Sequence, residues 1–174
     1  TQNTWIEYLP PYIEVNATAG SLQANYFSLK SAFDKINDGT HQGSITIKIN
    51  HSTTESASAV LNASGSGSAN YSSVYIYPTD TSLSISGDLS EPLIDLNGAD
   101  NVTIDGRLNA AGTEKDLLIV NASTASVSGT STLRFRNDAS SNTIQYCTIK
   151  GSEERSSSGI IFFSTTSSNT GNDN

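Results

Sequence analysis

The sequence predicts an all-β fold, a parallel β-helix (solenoid) with an N-terminal capping α-helix. Two observations lead to this prediction. Short strand-like segments that end in Asn recur along the second half of the chain, and one amphipathic helical segment precedes them. Because each coil of a solenoid buries its apolar side only against its neighbours, an open end needs a cover. A single helix with one apolar face suits that position.

The composition favours a folded β-rich chain with many turns over disorder. Ser, Thr and Asn make up more than a third of the 174 residues, and only 15% of the residues are charged. Disordered chains usually carry more charge and lack regular apolar alternation. The net charge of −8 argues against nucleic acid and anionic membranes as partners, because both bind basic surfaces. No apolar stretch approaches the roughly 20 residues of a membrane-spanning helix, so membrane insertion is not expected.

Residues 1–24 are expected to form an irregular extension that packs on the solenoid. Pro10 and Pro11 interrupt regular structure, and several apolar side chains are available for docking: Trp5, Ile6, Tyr8, Tyr12, Ile13 and Val15. The first residues have neither the basic nor the apolar region of a signal peptide. A mature or trimmed form of the protein is therefore expected.

Residues 25–42 are predicted to contain the capping helix. The apolar side chains follow the i, i+3, i+4, i+7 pattern of one helical face; they are Leu29, Ala32, Phe33 and Ile36. Ser28 is a suitable N-cap, and Gly39 is suited to end the helix. A helix of about three turns cannot bury such a face alone, so it is expected to lie over the first coil.

Residues 43–174 are predicted to form the coils, which are expected to continue beyond the chain end. Alternation at Ile45, Ile47 and Ile49 indicates a half-buried strand. Three later segments share an apolar strand ending in Asn, and each is expected to be one coil apart from the next: Leu93–Asn97, Leu117–Asn121 and Leu133–Asn137. Segments 98–104 and 138–144, which follow the first and third of these strands, resemble each other. Residues 159–163 begin another apolar strand before the chain reaches Asn169–Asn174. Equivalent side chains should stack about 4.8 Å apart, with Asn amides bonded between coils. A β-sandwich is the competing fold, but it does not explain this recurrence.

At these segments the chain resembles the right-handed parallel β-helix (pectate-lyase-like) proteins of Bacteroidetes. The resemblance covers residues 25–174 and is carried by segments such as LIDLNGADNVTIDG and TSTLRFRNDASSNTIQYCTIKGS. It implies right-handed winding and places this chain in the N-terminal part of a larger repeat protein. It also implies a secreted or outer-surface-attached bacterial protein, exported commonly by the type IX secretion machinery.

Catalytic members of this fold act on acidic polysaccharides. Lyases hold Ca²⁺ between clustered carboxylates, and hydrolases use pairs of Asp side chains. Asp95, Asp100 and Asp105 are spaced so that two could meet at one turn, although Asp is also an ordinary turn residue. The Asn-Thr-Asp, Asp-Asp, His-Gly and Arg-Ile-Lys motifs of the hydrolases are absent. No catalytic residue and no cofactor are therefore assigned, and Ca²⁺ is compatible with the acidic chain but has no specific support.

Four residues are candidates for ligand binding: Asp95, Asp105, Arg134 and Arg136. The two arginines flank Phe135 on a strand, so both should point away from the core. They could form a patch for carboxylated sugars or, alternatively, be solvated charges on the outer face.

No metal site and no nucleophile are predicted. His41 and His51 have no Cys or carboxylate at ligand spacing. Cys147 belongs to an alternating apolar run and is expected to be a buried ladder residue, because a nucleophilic Cys would need a nearby His.

The leading interpretation is a non-enzymatic secreted or cell-surface β-solenoid, a stalk or adhesin-type module that binds glycans. The expected partners are polysaccharides or other surface proteins, together with the secretion machinery. One alternative is the N-terminal part of a polysaccharide lyase or glycoside hydrolase whose active site lies on later coils. Another is a type IX secretion cargo whose binding domains lie elsewhere.

Overall fold

The computed structural model describes residues 11–125, 127–153 and 158–164 and shows a parallel β-solenoid of four coils. Each coil contributes one strand to each of three sheets, here called sheets A, B and C. The prediction of a solenoid of stacked parallel strands is confirmed.

A hairpin and a helix precede the coils: β1 (Ile13–Gly20), β2 (Gln23–Tyr26) and α1 (Leu29–Asn37). The first coil comprises β3 (His41–Ile49), β4 (Thr53–Glu55) and β5 (Ala59–Asn62), and the second β6 (Tyr71–Pro78), β7 (Leu83–Gly87) and β8 (Ile94–Asn97). The third comprises β9 (Val102–Asp105), β10 (Leu117–Asn121) and β11 (Ser131–Arg136), with a short 3-10 turn at Leu108–Ala110. The fourth comprises β12 (Thr143–Gln145), β13 (Cys147–Gly151) and β14 (Gly159–Phe163).

Sheet A has six strands and the other two sheets have four, because the hairpin of β1 and β2 extends sheet A. Its order is β12-β9-β6-β3-β1-β2, whereas sheet B is β13-β10-β7-β4 and sheet C is β14-β11-β8-β5. Strands of successive coils pair in parallel, and β1 pairs antiparallel with both β2 and β3.

The expectation of an irregular segment up to residue 24 is therefore wrong for its described part. Ile13 and Val15 lie opposite Ile49 and Ile47 and are fully buried. Trp5, Ile6 and Tyr8 lie outside the described residues.

The interior of the solenoid consists of ladders of apolar side chains in register. In sheet A, Ile47, Ile76, Ile104 and Ile144 occupy successive strands. In sheet C, Leu61, Leu96, Phe135 and Phe163 do the same. Phe163, on the last strand of sheet C, is half-exposed. Burial of the other side chains is the main source of stability in such a chain, because each coil covers the apolar surface of the one before.

An Asn ladder runs along the end of sheet C, as the sequence pattern predicts. The Asn97 amide donates to Oδ1 of Asn62 at 2.8 Å, and the Asn137 amide donates to Oδ1 of Asn97. These partners are 35 and 40 residues apart in sequence. One coil therefore contains three strands, and the expectation that neighbouring Asn-terminated strands are one coil apart is wrong.

Asn121 does not belong to this ladder, although its strand has the same sequence pattern. It ends β10 in sheet B, where it is fully buried and its amide nitrogen donates to the carbonyls of Leu89, Glu91 and Ser131. Alternating apolar residues followed by Asn fit any strand that lines the shared core, whichever sheet it joins. The local pattern therefore could not identify the sheet.

The predicted helix is present and lies against the first coil. Its N-cap is Ser28, Gly39 follows its C-cap in the left-handed region, and the four apolar side chains expected to be buried are buried. The carboxylate of Glu55 accepts from the backbone N–H groups of Leu29 and Lys30, both at 2.9 Å. It thus occupies the positive end of the helix dipole and satisfies two otherwise unpaired donors.

The other end of the helix binds the exposed edge of sheet C. The Asn37 amide donates to the Val60 carbonyl at 2.8 Å, and its oxygen accepts from the Asn62 N–H at 2.9 Å. The Asn37 side chain thereby bonds two backbone groups of β5 that a neighbouring strand would otherwise bond. In the described part of the chain, no helix has the length and apolar content needed to cross a membrane.

Candidate functional site

Two rows of outward-facing side chains cross sheet A at right angles to its strands, and together they are called the sheet A face. Their sequence neighbours Val15, Ile47, Ile76 and Ile104 are buried, so strand alternation directs these side chains outward. The first row contains Asn16, Thr46, Tyr75, Thr103 and Thr143. The second contains Glu14, Lys48, Tyr77, Asp105 and Gln145. Arg107, which is paired with Asp105, is counted with the face.

Two tyrosines lie side by side in the middle of this face. The ring centroids of Tyr75 and Tyr77 are 5.9 Å apart, and the ring planes are tilted by 56°. Both residues are half-buried. The Tyr75 hydroxyl donates to Oδ2 of Asp105 at 2.8 Å, which holds its ring in place. Burial, together with this bond to a carboxylate, raises the pKa of Tyr75.

Asp105 organises the centre of the face although it has no exposed surface itself. Arg107 donates to it in a bidentate manner, from Nε to Oδ1 at 2.9 Å and from Nη2 to Oδ2 at 2.6 Å. Gln145 donates to Oδ2 at 2.8 Å. The Arg107 guanidinium holds the pKa of the Asp105 carboxyl well below its usual range. Such a carboxylate stays ionised near neutral pH and is unsuited to act as a general acid.

Arg107 also joins the face to a third tyrosine. Its guanidinium carbon lies 4.6 Å from the centroid of the Tyr146 ring, a cation–π arrangement. Tyr146 has φ 51° and is 39% exposed. Gly106 permits the backbone of Tyr146 to lie close to it, because a Cβ at position 106 would collide with the Tyr146 carbonyl. The third aromatic ring is thereby placed beside the charged pair.

The remaining charges on the face are paired as well. Lys48 Nζ lies 3.0 Å from Oε1 of Glu14, and the Asn16 amide donates to the same oxygen at 2.7 Å. The bonds from Asn16 and Lys48 lower the pKa of Glu14, and the bond to Glu14 raises the pKa of Lys48. With Asp105 and Arg107 also paired, the sheet A face carries no net charge.

Three of the four residues predicted to bind ligand lie elsewhere, on the outer side of sheet C. Arg134 donates to Asp95 from Nε at 3.0 Å and from Nη2 at 2.8 Å. Arg136 Nε lies 3.1 Å from Oδ2 of Asp95, at an angle that does not form a hydrogen bond. Asp95 is 1% exposed and Arg134 is 8% exposed. The two arginines therefore form a largely buried ion cluster with Asp95, which joins β8 to β11.

The three aspartates do not converge at one turn. Asp95 is in sheet C and Asp105 in sheet A, each with its own arginine partners. Asp100 lies between them at the corner and accepts from Ser140 N at 2.6 Å and Ser140 Oγ at 2.7 Å. Each carboxylate thus has a separate role in the coil.

The histidines and the cysteine have structural partners; the His51 ring packs edge-on against the Tyr12 ring. His41 is buried; its Nδ1 donates to the Ser21 carbonyl at 2.6 Å, and its Nε2 lies 2.7 Å from the Tyr26 hydroxyl. Cys147 stacks on Leu117, and burial raises the pKa of its thiol to about 12. Within residues 11–125, 127–153 and 158–164, no group of three or more His, Cys, Asp or Glu side chains is placed to hold a metal ion.

An apolar groove of about 360 Å³ lies at the fourth coil. Phe135 and Phe163 line it and stack with their centroids 5.0 Å apart. These side chains belong to the last strands of the described stack. Their apolar character therefore follows from their position in the core ladder and does not indicate a ligand.

The sequence interpretation included Asp105 but not the tyrosines around it. Alternation alone would have placed Tyr75 and Tyr77 on the same side of a strand, opposite Val74 and Ile76. Their grouping with Arg107, Gln145 and Tyr146 depends on how the strands of successive coils are aligned. No single strand sequence shows that alignment. Comparisons with protein-family models, with curated proteins and with solved structures find no match for this chain.

Proposed function

We propose that this chain is a non-enzymatic, secreted or cell-surface β-solenoid that binds glycans on the sheet A face. The observation that carries the proposal is the pair Tyr75 and Tyr77 in a surface otherwise built of hydroxyls, amides and paired charges. A pyranose ring presents C–H groups on one side and hydroxyls around its rim. Aromatic rings pack against the former, and amides and carboxylates bond the latter.

The location of the protein is a further part of the proposal. The sequence resembles the right-handed, pectate-lyase-like β-helix proteins of Bacteroidetes, and these are secreted or attached to the cell surface. Right-handed winding, export by the type IX machinery and an adhesin-type role rest on that resemblance. The acidic chain, with a net charge of −8, is compatible with a glycan partner and unfavourable for nucleic acid.

The chemistry of the face supports binding over catalysis. Asp105 is buried and bonded by three side chains, and its pKa is lowered. Hydrolysis of a glycosidic bond requires a carboxyl group with a raised pKa as the acid. Asp105 lacks that property.

The test is a glycan array followed by isothermal titration with each polysaccharide that binds. We expect Tyr75→Ala/Tyr77→Ala to weaken binding about tenfold or more, equivalent to ~1.4 kcal/mol or more. Phe27→Ala is the matched control, because Phe27 is 74% exposed and lies beyond β2. Circular dichroism checks that each variant is folded.

Three results would overturn the proposal. The first is the absence of binding to any glycan, and the second is unchanged binding by the tyrosine double variant. The third is release of shorter sugars from a bound polysaccharide, which would establish the lyase or hydrolase alternative.

A further inference from the structure

We propose that the ligand of the sheet A face is an uncharged, linear pyranose polysaccharide that lies across the strands, along the direction in which the coils stack. This inference rests on the proposed function and specifies the class of glycan and its orientation. It is carried by three properties of the face: its charge pairing, the direction of its rows and the tilt of its tyrosines.

The charge pairing disfavours acidic sugars. The two cations of the face, Lys48 and Arg107, are bonded to Glu14 and Asp105. A uronate carboxylate would have to compete with the bidentate bond from Arg107 to a buried carboxylate. The net charge of −8 would in addition repel a polyanion at longer range. Neutral hydroxyls can bond these groups without breaking either pair.

The direction of the rows indicates how the polymer lies. Polar side chains continue over five neighbouring strands, from β1 to β12. At about 4.8 Å per strand this strip is about 19 Å long, enough for several sugar residues. A polymer lying across the strands would contact hydroxyl groups such as Thr46 and Thr143 in one row and the amide of Gln145 in the other. A polymer lying along β6 would leave the face after Tyr75 and Tyr77.

The tilt of the tyrosines favours a single flexible chain over a flat crystalline surface. With their planes at 56°, the rings of Tyr75 and Tyr77 do not form one continuous platform. Each ring offers its own stacking surface. Both rings lie on β6, so a single chain that crosses the strands meets them together as it passes β6, whereas a flat crystalline surface would need coplanar rings.

The experiment compares soluble neutral polysaccharides, such as glucomannan and mixed-linkage glucan, with polygalacturonate and alginate. We expect the neutral polymers to bind at least about tenfold more tightly. Their Kd should change less than about twofold between about 0.05 M and about 0.5 M NaCl, because the contacts are not ionic. Affinity electrophoresis and isothermal titration provide the measurements.

The orientation is tested with Thr46→Ala and Gln145→Ala, which lie on opposite sides of the tyrosines. Both should weaken binding of the neutral polymer about three- to tenfold. Ser84→Ala, on the outer side of sheet B, is the control and should not change it.

The outcomes separate this inference from the proposed function. Tighter, salt-dependent binding of polyuronates would overturn the inference and leave glycan binding intact. So would a loss of binding in the tyrosine double variant with none in Thr46→Ala or Gln145→Ala. Absence of binding to any polysaccharide would overturn both.

Discussion

Two Asp–Arg clusters with similar bonds have different roles in this solenoid. Asp95 on sheet C and Asp105 on sheet A are both buried, and each accepts a bidentate bond from an arginine. Arg134 lies 39 residues from Asp95, on the next coil, whereas Arg107 lies two residues from Asp105. In the first cluster the ion pair itself joins coils, whereas in the second the ion pair lies within one coil and Tyr75 and Gln145 of the neighbouring coils bond to it. The sequence separation of the partners, more than the bond itself, indicates which role a charged pair has.

The largest effect is expected from Asp95→Ala. This change removes the carboxylate that Arg134 and Arg136 share in a largely buried position, which should lower the free energy of unfolding by about 3 to 5 kcal/mol. Urea denaturation measures the loss. Glu114→Ala, at an exposed position, is the control. A loss below about 1 kcal/mol would mean that the cluster behaves like a surface ion pair.

Asp105→Asn should have an intermediate effect. It keeps the shape of the side chain but removes the charge that Arg107, Tyr75 and Gln145 bond, at an expected cost of about 1.5 to 3 kcal/mol. Glycan binding should weaken as well, because Tyr75 and Arg107 lose their common anchor. Denaturation and titration of the same variant measure the two effects.

The cost of Asp105→Asn should also depend on pH. The pKa of Asp105 is lowered in the folded chain, whereas the unfolded carboxyl titrates near pH 4 (about 3.9). The stability contributed by its charge is present above that pH and is lost as pH falls towards the folded pKa. The difference between the original chain and the variant should therefore shrink between about pH 5 and about pH 2. A difference that is constant over this range would contradict the assigned charge.

The smallest effect distinguishes the two neighbouring tyrosines. Tyr75→Phe removes the hydroxyl that bonds Asp105 and should cost about 1 kcal/mol. Tyr77→Phe should leave the free energy of unfolding unchanged within about 0.5 kcal/mol. Thermal and urea denaturation of both variants provide the measurement. Equal losses would show that the Tyr75 hydroxyl does not stabilise the face.

The helix and the early strands could be predicted because their signals are local. Leu29 to Ile36 show the apolar face of α1, and alternation shows β3 and β6. The pairing of Thr103 with Thr143 was also indicated, because segments 98–104 and 138–144 repeat in sequence and stack in register.

The assignment of strands to sheets could not be predicted in the same way. β10 resembles β8 and β11 in sequence but belongs to another sheet, and β1 joins sheet A because β3 offers it an edge. The sheet A face depends on this assignment. Asp105 could be selected from its residue type. Tyr75, Tyr77 and Gln145 are instead brought together by coils 28 to 40 residues long.

The way in which α1 closes the first coil also affects the order of assembly. Glu55 and Asn37 bind α1 to β4 and β5, and all of these contacts lie within residues 28–62. The residues that make these contacts are therefore all available once residue 62 has left the ribosome. From that point the first coil offers further strands only those edges of β3, β4 and β5 that face the second coil. Each later coil can then be added in the order in which the chain emerges, so that winding proceeds in a single direction.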